Sequence, residues 1–436
     1  MDTVCKGERL ISNTTRAAIG ATVTTIVALA ALAPAPLEAQ AYSNNPDRPV
    51  PWPKPWHPDG LNGSIDFGPT TGIYADPNTD HIWLATRCGR TPRYHTNQEG
   101  CVFKPDYDMI FKFDLNGDLV ARFGAGTLGK PHSMFVDSEG NVWVADFAGG
   151  VEYGHTAAEV EDMMRRRGLG HQVVKFSPDG EVLMRLGNPG TPGGDETHFR
   201  NPSAVAVAPN GSIFVGDGHG SDGNNRLIKF AADGTFMKQI GCSECPSGPT
   251  GNTAWGELRD AHALDFDTEG RLFVGDKLNG RIQIFDQDLN LLDVWTQFGA
   301  PAGLAIERAS GLLVTADAES HNSPPLDGSP SNAGWEQGLY IGSVRTGWVT
   351  SFILAAAPPI TGGDGGPEGV AVDRYGNIYW GETRSTLDIV RGQHIMKYVD
   401  ITRTPHSTCE WWGYESRREG RGVVGCGVDQ QSRTDP

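Results

Sequence analysis

Between about residue 63 and residue 400 the chain runs in short stretches where apolar and polar residues alternate, separated by Asp-Gly, Asn-Gly or Glu-Gly turns. Alternation with a period of two marks strands with one face buried. The Gly or Asn between two runs accepts the positive φ that a tight hairpin needs. One phrase of this kind returns six times. The second copy reads PHSMFVDSEGNVWVADF and, after an insertion, HQVVKFSPDGEVLMRLG; the third reads PSAVAVAPNGSIFVGDG, then NRLIKFAADGTFMKQIG. The fourth, AHALDFDTEGRLFVGDKLNGRIQIFDQDLNLLDVW, is the most compact and holds two hairpins in about 40 residues. The sixth is PEGVAVDRYGNIYWGET, while the first (TTGIYADPNTDHIWLATR) and fifth (PAGLAIERASGLLVTAD) are looser. Four-stranded units at this period are propeller blades. The pattern therefore predicts an all-β chain with a six-bladed β-propeller of four-stranded blades over 63–399. A β-sandwich would not repeat one phrase in one register six times.

Three segments fall outside the repeat. In 1–41, Lys6, Arg9 and Arg16 precede an apolar run from Ala17 to Ala33, and Ala39-Gln40-Ala41 offers a small-x-small cleavage site. That order of features reads as a secretory signal peptide, with an uncleaved anchor as the alternative. Residues 42–62 form a Pro/Trp-rich N-terminal segment, and 400–436 form a C-terminal tail containing CEWWGY. Within the second blade, 157–167 reads as an inserted helix, either decorative or a lid over one mouth of the propeller. Removal of Cys5 with the leader leaves Cys88, Cys101, Cys242, Cys245, Cys409 and Cys426, an even number that suits disulfides in an oxidising compartment. Proximity pairs them as neighbours, although Cys242-Ser-Glu-Cys245 could also be a redox or metal pair. The expected location is secreted or periplasmic.

Composition narrows the classes further. The 57 Gly and 29 Pro have no collagen period and exclude a long helical bundle, while 11 Trp and 17 Phe are too many for a disordered chain. A formal charge of −17 with no extended basic run argues against a nucleic-acid partner, and no later segment is apolar enough to keep the chain in a membrane once the leader is removed. A monomer is expected. P-loop, GxSxG and HExxH motifs do not occur in the sequence, which removes support for nucleotide hydrolysis and the familiar serine and zincin chemistries.

A propeller sets the first strand of every blade along its axis, so equivalent positions form rings. The residues opening that strand are Thr71, His132, Ser203, His262, Ala302 and Glu368. Blades two, four and six thus carry His, His and Glu, and three alternate blades would aim them at one point. Two imidazoles and a carboxylate form a metal site that suits zinc as a Lewis acid or, alternatively, iron(II). The simpler reading is that both His are channel residues hydrogen-bonded to neighbours. A second ring, Thr86, Asp146, Asp217, Asp276, Asp317 and Glu382, is read mostly as acids that bind backbone N–H groups. Just beyond it the repeat becomes irregular, with Arg87, His219 and Lys277. Two cations and another imidazole at the mouth could hold an anionic substrate and move a proton; each alone is equally a solvated surface residue.

The x-V-D-x-x-G-N phrase resembles the NHL repeat. The stretches KPHSMFVDSEGNVWVADF, HFRNPSAVAV, FVGDG, AHALDFD and GDKLNGRIQIF are similar in order and spacing to the peptidyl-α-hydroxyglycine α-amidating lyase family. The resemblance implies an axial zinc held by three His, with an Arg of the first blade, a Tyr of the third and an Arg of the fourth around the substrate. By that resemblance His132 and His262 take two zinc positions and Arg87 takes the first-blade Arg position. The departures are Glu368 for the third His, His219 for the Tyr base and Lys277 for the second Arg. Gly369 also stands where an Asp would help hold a structural calcium, which puts that ion in doubt. The expectation is an exported metal-dependent lyase or hydrolase in which His132, His262 and Glu368 hold the metal and His219, Arg87 and Lys277 serve catalysis. It would cleave a C–N or C–O bond of a small-molecule or peptide-derived hydroxylated substrate. The alternative is a non-catalytic NHL propeller that binds a protein or glycan.

Overall fold

The computed structural model describes residues 50–51, 67–88, 101–148, 155–220, 223–242, 254–318, 320, 335–355, 366–382 and 395–398. All of them lie in the unit Ala39–Pro436. The leader 1–41, the tail 400–436 and the side chains of the six cysteines lie outside the described residues.

Six four-stranded antiparallel sheets make up the fold, and it is a six-bladed propeller. In the first blade the strands run outward from the axis as Phe67–Ala75, His81–Cys88, Ile110–Asp114 and Leu119–Phe123. The innermost strands of the next five blades are Lys130–Val136, Pro202–Val207, Ala261–Phe266, Pro301–Glu307 and Pro367–Val372. Each innermost strand packs against the next, and the sixth packs against the first, which closes the ring.

The closure refines the boundary read from sequence. The sixth blade takes its outermost strand from Val50–Pro51, which pairs antiparallel with Ile395–Tyr398 as Val50 opposite Lys397 and Pro51 opposite Met396. Two residues of the segment expected to lie outside the propeller therefore complete it. An edge strand is also where proline is tolerated, because one side of it needs no N–H donor.

The repeated phrase has a direct physical basis. Asp137 Oδ1 accepts the Glu139 and Asn141 N–H groups at 3.0 and 2.9 Å, which ties the turn, and Asp137 Oδ2 accepts the Trp143 indole N–H at 2.9 Å, which fixes the core aromatic of the next strand. Asp76 with Trp83 (3.1 Å) and Asp373 with Tyr379 (2.9 Å) do the same in the first and sixth blades. These aromatics are fully or almost fully buried between blades, where a satisfied N–H or O–H lets a large ring pack without leaving a polar atom bare.

The insertion is a helix, Ala157–Arg167, started by a capping box between Thr156 and Glu159 and stopped by Gly168 in the left-handed conformation (φ 63°). Val160 and Met164 of this helix are buried with Val102, Ala148 and Leu169 in a small core of their own, and the His155 ring stacks on Phe103 at 3.9 Å. Among the described residues no helix is long and apolar enough to cross a membrane.

Candidate axial metal centre

The residues read as the first axial ring share one backbone feature. In each inner strand the ladder register slips by one residue, and the unpaired residue is Thr71, His132, Ser203, His262, Ala302 or Glu368. A β-bulge re-aims its extra side chain and bends the strand, so six bulges turn six side chains toward the axis. The residue that follows is small in every blade because the neighbouring strand runs close. A Cβ on Gly303 would sit 2.1 Å from the Glu368 carbonyl oxygen, and one on Gly369 would sit 2.5 Å from that of Thr71.

Side chains of the first four blades each hydrogen-bond to a backbone carbonyl of the next blade around this ring. Thr71 Oγ1 donates to the Pro131 carbonyl (3.1 Å) and Ser203 Oγ to the Ala261 carbonyl (2.9 Å). His132 Nδ1 meets the Ser203 carbonyl at 2.8 Å and His262 Nδ1 meets that of Ala302 at 2.5 Å. A carbonyl only accepts, so both imidazoles carry their proton on Nδ1 and present an unprotonated Nε2. Those Nε2 atoms are buried and make no hydrogen bond, although Glu368 Oε1 lies 3.2 Å from His132 Nε2 and 3.5 Å from His262 Nε2. The structure thus brings His132, His262 and Glu368 together. Burial pushes the His132 imidazole down to about 4 and holds His262 well below its ordinary range. Burial would raise the Glu368 carboxyl, but His132, His262 and Arg87 together hold it well below the carboxylate norm.

His219 joins this group. Its ring centroid lies 4.5 Å from that of His132 and 4.7 Å from that of His262, and the three imidazoles offer ligand atoms within 4.8 Å of one another. From sequence it stands at the mouth of the channel, apart from the metal; the structure sets it against the two axial His. Its backbone N–H is held by the Asn201 carbonyl (2.8 Å) and its Nδ1 by Asp260 Oδ2 (3.0 Å). The Phe147 ring packs edge-on against it at 5.0 Å. Arg87 and Lys277 are also buried against the site. Arg87 donates from Nε to the Pro131 carbonyl at 3.2 Å, and its charge acts on His132 and Glu368. The Lys277 charge acts on His262 and Asp260.

Asp260 is the member of the site that sequence reading did not single out. It precedes the fourth inner strand in a left-handed conformation (φ 61°), and only the fold brings it to His219, 41 residues earlier. An Asp two residues before a candidate ligand was the available signal.

The second ring serves the fold. Asp146 accepts from the Gly129, Lys130 and Gly170 N–H groups and the Gln172 amide at 2.7–2.9 Å. Asp217 accepts from the Arg200 N–H, Asn224 and Arg226, each at 2.8 Å. Asp276 and Asp317 are saturated in the same manner. The side chain of Glu382 lies outside the described residues.

Below the bulges the axis holds a cavity of about 30 Å³, lined by Thr71, His132, His262 and Glu368 and, further along the inner strands, by Tyr74, Met134 and Leu264. That is room for an ion or a water or two, and His219, Arg87 and Lys277 are not among the residues lining it. At Gly369 no side-chain donor exists for calcium.

No family profile matches the chain. It is 29% identical over 248 residues to a protein named as a probable peptidyl-alpha-hydroxyglycine alpha-amidating lyase of Caenorhabditis elegans, covering 55% of this chain and 62% of that one. It is 28% identical over 274 residues to the peptidylglycine alpha-amidating monooxygenase of Rattus norvegicus (58% of this chain, 25% of that one). It is 32% identical over 244 residues to NHL repeat-containing protein 3 of Homo sapiens (55% and 56%). The chain therefore spans less than two thirds of each of these relatives. It is a six-bladed propeller that resembles both amidating lyases and NHL repeat proteins.

Proposed function

We propose, with that resemblance as the premise, that the chain is an exported metal-dependent lyase or hydrolase acting on a hydroxylated substrate of the peptidyl-α-hydroxyglycine kind. The single observation that carries this reading is the pair of buried, unprotonated Nε2 atoms of His132 and His262, which lack hydrogen bonds and face the Glu368 carboxylate. Buried polar nitrogens without partners are costly, and two of them converging on a carboxylate fit a cation. His132, His262 and Glu368 would hold it, and the His₂Glu set suits zinc, with iron(II) the alternative. When bound, such an ion supplies Lewis acidity toward a hydroxyl or carbonyl oxygen.

The chain's own residues account for the remaining chemistry. His219 takes the proton of the substrate hydroxyl at Nε2, the general-base role that a positioned imidazole most often fills. As the C–O(H) group becomes a carbonyl, the C–N bond breaks, its electron pair passes to nitrogen, and the imidazolium returns the proton there. Arg87 and Lys277 hold the substrate carboxylate, and Lys277 does so as a point charge without the bidentate fork of an Arg.

Clustering of the three imidazoles favours a second arrangement of the same centre, in which His219 is a ligand. Elemental analysis of His219→Ala separates the two: retained metal with lost turnover makes it a base, and lost metal makes it a ligand. The primary test is metal content of the purified wild-type chain, followed by turnover of an α-hydroxyglycine peptide with and without chelator. Protein that takes up no zinc or iron when supplied with them would remove the reading in favour of a binding propeller.

A further inference from the structure

Three imidazoles meet at the axis, and each is fixed through Nδ1. Carbonyls from the inner strands fix two of them, whereas His219 hangs from a loop after the second strand of its blade and meets Asp260 from the next blade at 3.0 Å. Among the described residues this carboxylate is the only side chain hydrogen-bonded to His219. A carboxylate that accepts one N–H from an imidazole decides which nitrogen carries the proton and how the ring is turned.

Asp260 is built unlike the acids that serve the fold. Asp146, Asp217 and Asp276 have donors on both oxygens. Asp260 is 1% exposed, spends Oδ2 on His219 and leaves Oδ1 buried with no hydrogen bond. Its backbone is held in the left-handed region (φ 61°) by the Asn225 side chain on its N–H (3.3 Å) and by the Lys277 N–H on its carbonyl (3.1 Å). A strained backbone and a half-satisfied buried carboxylate are arrangements that persist where a site needs them.

We propose that Asp260 is the positioning residue that holds His219 in the Nδ1–H tautomer, with its unprotonated Nε2 turned toward His132 and His262. The catalytic value of this dyad rests on the axial-centre reading, since both a base and a ligand need that bare nitrogen; the tautomer itself does not.

The test uses the whole chain, metal-free and labelled with ¹⁵N-histidine, in long-range ¹H–¹⁵N spectra at neutral pH, with His219 assigned from His219→Asn. Asp260→Asn and Asp260→Gly are the variants. Asparagine tolerates the left-handed backbone, and glycine takes φ 61° without strain, so the second variant removes the carboxylate while relieving the chain. Wild-type His219 should show the Nδ1–H pattern, and both variants should lose it, with the Nε2–H form gaining at least severalfold. An Nε2–H pattern in the wild type, or an unchanged Nδ1–H pattern in either folded variant, overturns the assignment. Titration with Zn²⁺ runs alongside. If wild type fails to bind Zn²⁺ the axial-centre reading fails, while the spectra still decide the role of Asp260.

Discussion

The acid ring and the axial imidazoles stand one strand apart in the same repeat, and both are buried. Asp146, Asp217, Asp276 and Asp317 are saturated with backbone and side-chain donors. His132 and His262 are fixed on one side and bare on the other. The first arrangement answers to the fold, because every group removed from water has been given a partner inside the protein. The second leaves converging lone pairs with no internal partner, which is what an exogenous group requires. His171 sharpens the contrast. It too is a buried imidazole, but its Nδ1 accepts the Asn201 N–H at 3.2 Å, so its neutral form belongs to the structure.

The comparison breaks first at the ligands. His132→Ala and His262→Ala should each abolish bound metal, read by elemental analysis, and turnover with it; a full metal complement in both would erase the distinction between the two rings. Arg226→Ala should do the opposite. It strands the buried Asp217 carboxylate, whose partner lies 2.8 Å away with both side chains wholly inaccessible, and should cost about 3–5 kcal/mol in urea unfolding. The folded fraction should keep its metal.

A pH series sharpens the third member. Burial pushes His171 down to about 4 from an ordinary 6.5. Between those values the unfolded chain binds a proton that the folded chain refuses, so stability is full above pH 6.5 and falls as the pH is lowered toward 4. His171→Asn, which tolerates the backbone φ of 54°, should flatten that slope by one proton's share, up to about 3 kcal/mol at pH 4. His132 carries a fall of the same sign, so part of the slope should remain. Thermal unfolding of metal-free protein across the window measures both. The smallest effect is expected at the cations beside the axial group. Arg87→Lys keeps charge but loses the fork, and should lower kcat/KM about tenfold without changing metal content.

Much of this was legible in the chain. The turn glycines impose one phrase on each blade, reinforced in the first, second and sixth by bonds from Asp to Trp or Tyr, so blade number and strand order follow from spacing, and the identity of the inward residue follows from register. What the phrase does not carry is anything made between blades. Asp260 and His219 meet only because adjacent inner strands close up, and no local pattern links them. Nor does alternation reveal that the inward residues are bulges. Val50–Pro51 was illegible for another reason: two residues in a proline-rich stretch have no periodicity, and only the open edge of the sixth blade gives them a place.

That small strand has consequences for how the molecule is made. Glu368 belongs to the sheet sealed by Val50 and Pro51, so the last of the proposed ligands is seated in a blade that stays one strand short until the first-synthesised part of the domain returns to the last. A metal held in part by Glu368, as proposed, would have to wait for the circle to be shut. Trimming the chain just beyond Pro51 would therefore be felt at the axis, far from the cut.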